Sequence, residues 1–218
     1  MSRTATIGLA LALTGLVALP LAAPGKPPKP PKQNKGLTLA AAPNPVVFGR
    51  ATVLSGRLTG KNHAGQSVAL QADPYPYDGF SGAATAVTGS NGAFSFQQRP
   101  RLNTRFKVRQ AGTESALVTV LVRFRTSLRL SDSTPKAGRR IRFYGRSCPT
   151  HDGARVAVQR RTSAGWRTAK RTTLRSATRC SVYSTRFAVR RDATYRAVAA
   201  GDAAHARGIS PRRRVDVH

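Results

Sequence analysis

An internal repeat of about 90 residues is the feature that most restricts the fold of this chain. FGRATVLSGRLTG and GQSVALQ, within residues 48–71, match AGRRIRFYGRSC and GARVAVQ, within 137–159. NTRFKV at 103–108 matches ATYRAV at 193–198, and 57 positions separate the first glycine from the aromatic residue in both copies. The matched pairs are Gly49 and Gly138, Gly56 and Gly145, Gly65 and Gly153, Val68 and Val156, Leu70 and Val158, and Phe106 and Tyr195. Because solenoid repeats span about 20–50 residues, this period predicts two tandem domains instead.

Short alternating or apolar runs fill both copies, and no stretch keeps the 3.6-residue period of an amphipathic helix. The runs are SVALQA (67–72), AFSFQ (93–97), RFKVRQ (105–110), ALVTVLV (116–122), RIRFYG (140–145), RVAVQR (155–160), TRFAVR (185–190) and RVDV (214–217). They predict an all-β chain with about seven strands per copy, folded as two β-sandwiches. Asn91-Gly92 is a strong hairpin-turn signal.

The first 36 residues carry a sorting pattern and a spacer pattern. Residues 1–23 combine Arg3, an apolar run from Ile7 to Leu21 and two small residues, which predicts a cleaved signal peptide and no transmembrane segment in the mature chain. An uncleaved anchor is the alternative, although the run is shorter than the roughly 20 residues of a spanning helix. Residues 24–36, PGKPPKPPKQNKG, predict an extended, solvated Pro/Lys-rich linker. We therefore expect a secreted, extracellular protein.

Two cysteines, Cys148 and Cys180, occur in the chain. In an oxidising compartment such a pair usually forms a disulfide, and two buried free thiols are the alternative. A bond between them would close a loop of about 33 residues and stabilise the fold by roughly 3–4 kcal/mol.

The formal charge of +29 is concentrated in the second copy. The expected first domain, residues 37–122, holds eight basic and three acidic residues, whereas the second, 123–218, holds 24 basic and five acidic residues. Of those 24, 22 are arginines. Surfaces this positive bind polyanions at low salt.

The quoted repeat motifs resemble a known group of modules. GRATVLSGRL, GQSVAL, TGSNGAFSF and PRLNTRFKV look like parts of the immunoglobulin-like or fibronectin type III-like repeats of proteins secreted by high-G+C Gram-positive bacteria. The resemblance covers 37–122 well and 126–217 more loosely. It implies two tandem immunoglobulin-like β-sandwiches and an extracytoplasmic location, and it transfers no catalytic residue.

Arginine clusters in the second copy are the first candidate binding surface. A guanidinium fork pairs bidentately with phosphate or carboxylate, so several on one sandwich face would hold an anionic cell-wall polymer or another polyanion. The candidates are Arg139, Arg140, Arg142, Arg160, Arg161, Arg190, Arg191, Arg212, Arg213 and Arg214. A solvated basic face without a specific partner is the alternative. No specific nucleic-acid partner is expected, because no strand interleaves basic and aromatic residues as a base-stacking platform does.

Three aromatic residues in DPYPYDGFSG form the second candidate: Tyr75, Tyr77 and Phe80. Exposed rings on a loop can stack on sugars, which would make this a carbohydrate-binding module. Alternatively, the segment crosses between the sheets and its rings cap the core. The matching stretch of the second copy, RRTSAGWRTAK, offers Trp166 and basic residues there, which favours the core interpretation.

Catalytic groups are scarce. The chain has eight acidic residues and four histidines, and none of them lies in a recognisable catalytic or metal-binding motif. His63 and His151 occupy equivalent turns, where we expect solvated side chains. We therefore predict a non-enzymatic protein without cofactor or metal.

Overall fold

The computed structural model describes residues 36–218. The predicted signal peptide and the predicted linker, except for Gly36, lie outside the described residues. All regular secondary structure in the described part of the chain is β-strand. Within that part, no helix is long and apolar enough to cross a membrane.

Ten strands lie in the first sandwich. They are β1 (Ala40–Ala42), β2 (Val46–Val47), β3 (Thr52–Arg57), β4 (Ser67–Pro74), β5 (Ser81–Val87), β6 (Ala93–Gln98), β7 (Thr104–Gln110), β8 (Thr113–Glu114), β9 (Val118–Val120) and β10 (Val122–Arg123). One sheet has the order β1, β3, β6, and the other has the order β5, β4, β7, with β8 and β9 along the free edge of β7. The short β2 pairs in parallel with β10.

The second sandwich repeats this architecture. Its strands are β11 (Arg125–Thr126), β12 (Arg129–Leu130), β13 (Arg140–Cys148), β14 (Arg155–Thr162), β15 (Gly165–Thr173), β16 (Ser181–Ala188), β17 (Ala193–Ala199), β18 (Gly208–Ile209) and β19 (Arg213–Val215). β13 pairs with β11 and β12 on one edge and with β16 on the other. The facing sheet has the order β15, β14, β17, with β18 and β19 beyond β17. The described part of the chain is therefore all-β, with two tandem immunoglobulin-like β-sandwiches, as the sequence predicts.

Alternating side chains place an apolar core in each sandwich, because successive residues of a strand point to opposite faces. In β7, Phe106 and Val108 are buried between the sheets, and the basic residues that alternate with them point outward. In β13, Ile141 and Phe143 are buried in the same way. Each fully buried side chain of this size contributes about 1.5–3 kcal/mol to stability.

The connections between sheets differ from the sequence prediction at two places. The segment DPYPYDGFSG does not cross between the sheets, since β5 returns antiparallel along β4 in the same sheet. Conversely, Asn91-Gly92 forms a turn, but it connects β5 to β6 in the other sheet, so it is not a hairpin. A turn signal marks where the chain reverses and carries no information on which strand becomes the partner.

The repeat in sequence reflects a repeated packing constraint at Gly56 and Gly145. A Cβ atom added at Gly56 would lie well within 3.0 Å of the Thr38 carbonyl oxygen, and one added at Gly145 would lie equally close to that of Ser127. Only glycine permits this close approach of a neighbouring backbone. The strands β4 and β14 also have irregular register at equivalent points, after Leu70 and Val158.

Cys148 and Cys180 form a disulfide with a Cα–Cα distance of 4.5 Å, as predicted. Cys148 ends β13, and Cys180 directly precedes β16, so the bond joins two paired strands at one end of their sheet.

A loop of the second sandwich, residues 200–207 between β17 and β18, contacts the end of the first sandwich. The buried Asn103 donates from its backbone to the Ala204 carbonyl (2.8 Å) and from its side chain to the Ala203 carbonyl (3.0 Å). Its side-chain oxygen accepts from the Val122 N–H at 2.8 Å. Phe124 lies against His205, with ring centroids 4.7 Å apart. These contacts couple the two sandwiches.

Asn103→Ala is expected to weaken this junction. It leaves the buried Val122 N–H without its side-chain partner, which costs about 1–3 kcal/mol, and it removes a hydrogen bond to the carbonyl of the exposed Ala203. Urea unfolding should show the loss, and hydrogen exchange should accelerate at the amides of Val122 and Ala206. Asn44→Ala is the matched control, because Asn44 makes the same pair of bonds, to Leu121 and Thr119, at an exposed site. Equal effects of both variants on the Ala206 amide would contradict a role of Asn103 in the junction.

Candidate functional site

The outer face of the sheet formed by β11, β12, β13 and β16 carries a concentration of positive charge. Every second residue of β13 points away from the core, and β12 and β16 add outward residues beside them. We call the part of this surface formed by β12, β13 and β16, together with the flanking Arg175, the arginine face. Its arginines are Arg129, Arg140, Arg142, Arg146, Arg175 and Arg186, and all six are exposed.

Strand register places like charges together on this face. Arg142 lies directly opposite Arg186, and Arg129 lies opposite Tyr144. Like charges directly opposite each other on antiparallel strands are destabilising. Among residues 36–218, no ion pair includes an arginine of this face. The positive charge is therefore not neutralised within the described part of the chain.

A shallow groove of about 440 Å³ runs between these arginines. Tyr144 and Val182 line it, and the Arg142 guanidinium lies 4.3 Å from the Tyr144 ring centroid. At one side, the Tyr183 hydroxyl donates to the Ser127 carbonyl at 2.6 Å, and burial raises the pKa of Tyr183 above its ordinary value. The hydroxyl therefore remains a donor across the neutral pH range. The groove offers an apolar strip flanked by guanidinium groups.

The first sandwich is an internal comparison for this face. When the two copies are superposed by their matched glycines, Ala40, Val53 and Gln97 occupy the positions of Arg129, Arg142 and Arg186, and Ser55 that of Tyr144. Val53 lies opposite Gln97 just as Arg142 lies opposite Arg186. The first copy keeps an arginine, Arg57, at the position of Arg146, but it has neutral residues at the other three, so the fold itself does not require Arg129, Arg142 or Arg186.

The ten arginines predicted as a binding surface do not share one face, which corrects that part of the sequence interpretation. Arg140 and Arg142 lie on the arginine face, and Arg139 lies in the turn before it. The others lie elsewhere: Arg160, Arg190 and Arg191 line a separate cleft, Arg161 and Arg212 lie beside Trp166, Arg213 donates to the Leu128 carbonyl, and Arg214 pairs with Asp192 and Asp216. Adjacent residues such as Arg160 and Arg161 separate because neighbouring strand positions face opposite ways.

Four members of the arginine face were not predicted from sequence: Arg129, Arg146, Arg175 and Arg186. Each stands apart from the Arg-Arg pairs on which the prediction rested, and strand pairing brings them to the site. Comparing the outward positions of the two copies would have identified Arg129 and Arg186, since neutral residues stand at both places in the first copy.

Tyr75, Tyr77 and Phe80 lie on the outside of the first sandwich. All three are half-buried, and none belongs to the core cluster, so the interpretation as core-capping residues is wrong. The Arg105 guanidinium lies 3.9 Å from the Tyr77 ring centroid, and the Lys107 ammonium lies 4.6 Å from that of Phe80. These cations cover ring surface that a sugar would need for stacking.

Trp166 occupies a similar environment in the second sandwich. The Arg196 guanidinium lies 4.2 Å from the Trp166 ring centroid, and Arg196 is the repeat equivalent of Lys107. Burial, followed by the charges of Arg207 and Arg212, lowers the pKa of Arg196. Trp166 is half-buried on the outside of the sandwich and does not belong to the core cluster, so the core interpretation is wrong for it as well. The same cation-on-ring arrangement occurs on both outer sheets.

The two turn histidines are bound within the fold, contrary to the expectation of solvated side chains. The ring nitrogens of His63 contact the carbonyl oxygens of Gly60 (2.8 Å) and Ser90 (3.1 Å). His151 stacks on Phe124 with ring centroids 4.5 Å apart. Within residues 36–218, no group of three or more His, Cys, Asp or Glu side chains could hold a metal ion.

No protein-family model matches the chain, and no curated protein sequence matches it significantly. Among solved structures, a tetra-tandem repeat from the extending region of a large adhesion protein aligns with 84% of this chain at 17% identity and a TM-score of 0.36. This chain spans 50% of that structure. The D0-D1 domain of intimin aligns with 83% of this chain and 97% of its own length, at 10% identity and a TM-score of 0.30. At these TM-scores, neither alignment bears on the function of this chain.

Proposed function

We propose that this protein is an exported, non-enzymatic binding module that attaches to anionic polymers of the cell envelope through its arginine face. The observation that carries the proposal is the pairing of Arg142 opposite Arg186, with no acidic partner among the described residues and neutral residues at the same positions of the first sandwich. A face that places repelling charges in register gains stability when an anion neutralises them.

The chemistry of the face suits a polymer more than a compact ligand. Its guanidinium groups are spread along three adjoining strands, and each can pair bidentately with one phosphate or carboxylate. The exposed Val182 in this groove would contact the carbon skeleton between the charged groups. The lysine-rich stretch 24–36 adds four further positive charges in the sequence.

Export is supported by two features. The signal-peptide pattern of residues 1–23 is one, and the disulfide between Cys148 and Cys180 is the other, because disulfides persist in oxidising compartments. Cleavage is tested by N-terminal sequencing of the secreted protein, and a mature chain that still begins at Met1 would exclude it.

Binding to a purified teichoic acid, to a neutral glycan and to double-stranded DNA should be measured across a salt series. We expect affinity for the teichoic acid to fall steeply with salt, since counterion release drives the association of multiple charges. Binding to DNA measures the nonspecific electrostatic component alone. If the face is specific for the envelope polymer, affinity for the teichoic acid should exceed affinity for DNA at least about 10-fold at equal salt. Salt-insensitive binding to the neutral glycan that is lost in Tyr75→Ala with Tyr77→Ala would instead favour the aromatic residues of the first sandwich as the binding surface. No binding to the teichoic acid at low salt would refute the proposal.

A further inference from the structure

The second sandwich contains a cleft of about 590 Å³ that is separate from the arginine face. It opens between the edge strands β15 and β16, near the start of β17. Four arginines line it, two from the β14–β15 hairpin and two from the loop after β16: Arg160, Arg167, Arg190 and Arg191. Phe187 and Tyr195 supply aromatic lining.

Comparison with the first sandwich shows that the fold does not need this charge. By repeat position, Arg160 corresponds to Ala72, Arg191 to Leu102, and Arg190 to Arg101. In the first sandwich this end is occupied, because the Arg101 carbonyl contacts His205 Nε2 at 3.0 Å and Asn103 binds the 200–207 loop. Arg167 corresponds to Ser81, so the second sandwich presents the equivalent end with three additional arginines.

The acid nearest in sequence does not neutralise the cleft. Asp192, the equivalent of Asn103, accepts from the Val217 N–H at 2.8 Å and pairs with Arg214 at 3.5 Å. Among residues 36–218, none of the four cleft arginines takes part in an ion pair. Arg160 lies opposite Tyr195 in the strand register, and burial raises the pKa of Tyr195 while the positive charges of Arg160 and Arg191 partly oppose that effect.

We propose that this cleft binds a small phosphoryl group with two or more negative charges, such as pyrophosphate or the terminal phosphate of a polymer. The four arginines come from two separate elements, the β14–β15 hairpin and the loop after β16, so a ligand in the cleft could be held from two sides. A tetrahedral phosphoryl group offers three oxygens to such donors, whereas a carboxylate offers two in one plane. The site is independent of the arginine face.

Calorimetric titration of the secreted protein with inorganic pyrophosphate tests the proposal. Saturable 1:1 binding is expected, and Arg190→Gln with Arg191→Gln should weaken it at least about 10-fold, since two charge-assisted contacts are lost. Arg167→Gln, on the other edge of the cleft, should weaken it in the same direction. Circular dichroism confirms that each variant is folded.

Two controls separate this site from others. Substituting Arg129, Arg142 and Arg186 should leave pyrophosphate affinity within about 2-fold, even if polymer binding is lost, because those residues lie on the arginine face. Dimethyl phosphate carries one charge, like an internal diester of a polymer, and should bind at least about 10-fold more weakly than pyrophosphate. A phosphate monoester, by contrast, should bind. Binding of the monoester would identify the ends of phosphate polymers as ligands. Absence of saturable pyrophosphate binding, or an equal loss in the variant of the arginine face, would overturn the proposal.

Discussion

Replacing Arg129, Arg142 and Arg186 by Ala, Val and Gln, the residues of the first sandwich, is expected to weaken binding to an anionic wall polymer about 100-fold at low salt. Each exposed charge contact contributes about 1 kcal/mol, and about 1.4 kcal/mol corresponds to a tenfold change in affinity. The slope of log affinity against log salt concentration should also become shallower by about 2, because each of the three lost phosphate contacts contributes about 0.7 to that slope. Binding to an immobilised polymer across a salt series measures both quantities.

The fold of this variant should be retained, since each new residue already occupies the matching strand position of the first copy. The matched control is Arg50→Gln with Arg99→Gln and Arg171→Gln, which removes three exposed charges away from the arginine face. If general charge alone drove binding, both variants would lose affinity equally, and the arginine face would not be the site. A loss of affinity at least about 10-fold greater in the variant of Arg129, Arg142 and Arg186 than in the control supports the arginine face as the site.

Gly145→Ala is expected to lower the free energy of unfolding of the second sandwich by about 3 kcal/mol, at the upper end of the cost of overpacking. The added methyl group would collide with the Ser127 carbonyl and lie 2.9 Å from the Tyr183 hydroxyl. The Ser127 backbone cannot move away easily, because it donates to the Arg146 carbonyl at 2.9 Å and accepts from Tyr183 at 2.6 Å. Urea unfolding followed by the fluorescence of Trp166, the one tryptophan of the chain, measures this loss.

Gly82→Ala is the control for this effect. A Cβ atom at Gly82, in β5, would meet no atom within 4 Å, and the backbone there is not left-handed. Stability should therefore change little, or rise by about 0.4–1 kcal/mol because the unfolded chain loses freedom. A cost below about 1 kcal/mol for Gly145→Ala would show that the two strands can separate and that the repeated glycine is not required by packing.

Strand positions were predictable from sequence wherever apolar and polar residues alternate. SVALQA, AFSFQ and RVAVQR all lie within strands, β4, β6 and β14 respectively. β5 and β15, the equivalent edge strands of the two copies, were missed because SGAATAV and GWRTAKRTT have no apolar alternation. The partners of the strands were less accessible: the stretch with Tyr75 turns back within one sheet, and the stretch with Asn91 crosses to the other.

By itself, the sequence determined the all-β class through alternation and the two copies through the repeat spacing. Its composition determined the cysteine pair that forms the disulfide and the excess of positive charge in the second copy. All of these can be read along the chain without knowing which segments pair. Only the tertiary structure decided which charges act together. Strand register brings Arg142 opposite Arg186 across 44 residues of chain, whereas the neighbours Arg160 and Arg161 point to opposite faces. Register depends on pairing between distant segments, so the pattern of one segment alone does not show which residue will lie opposite it.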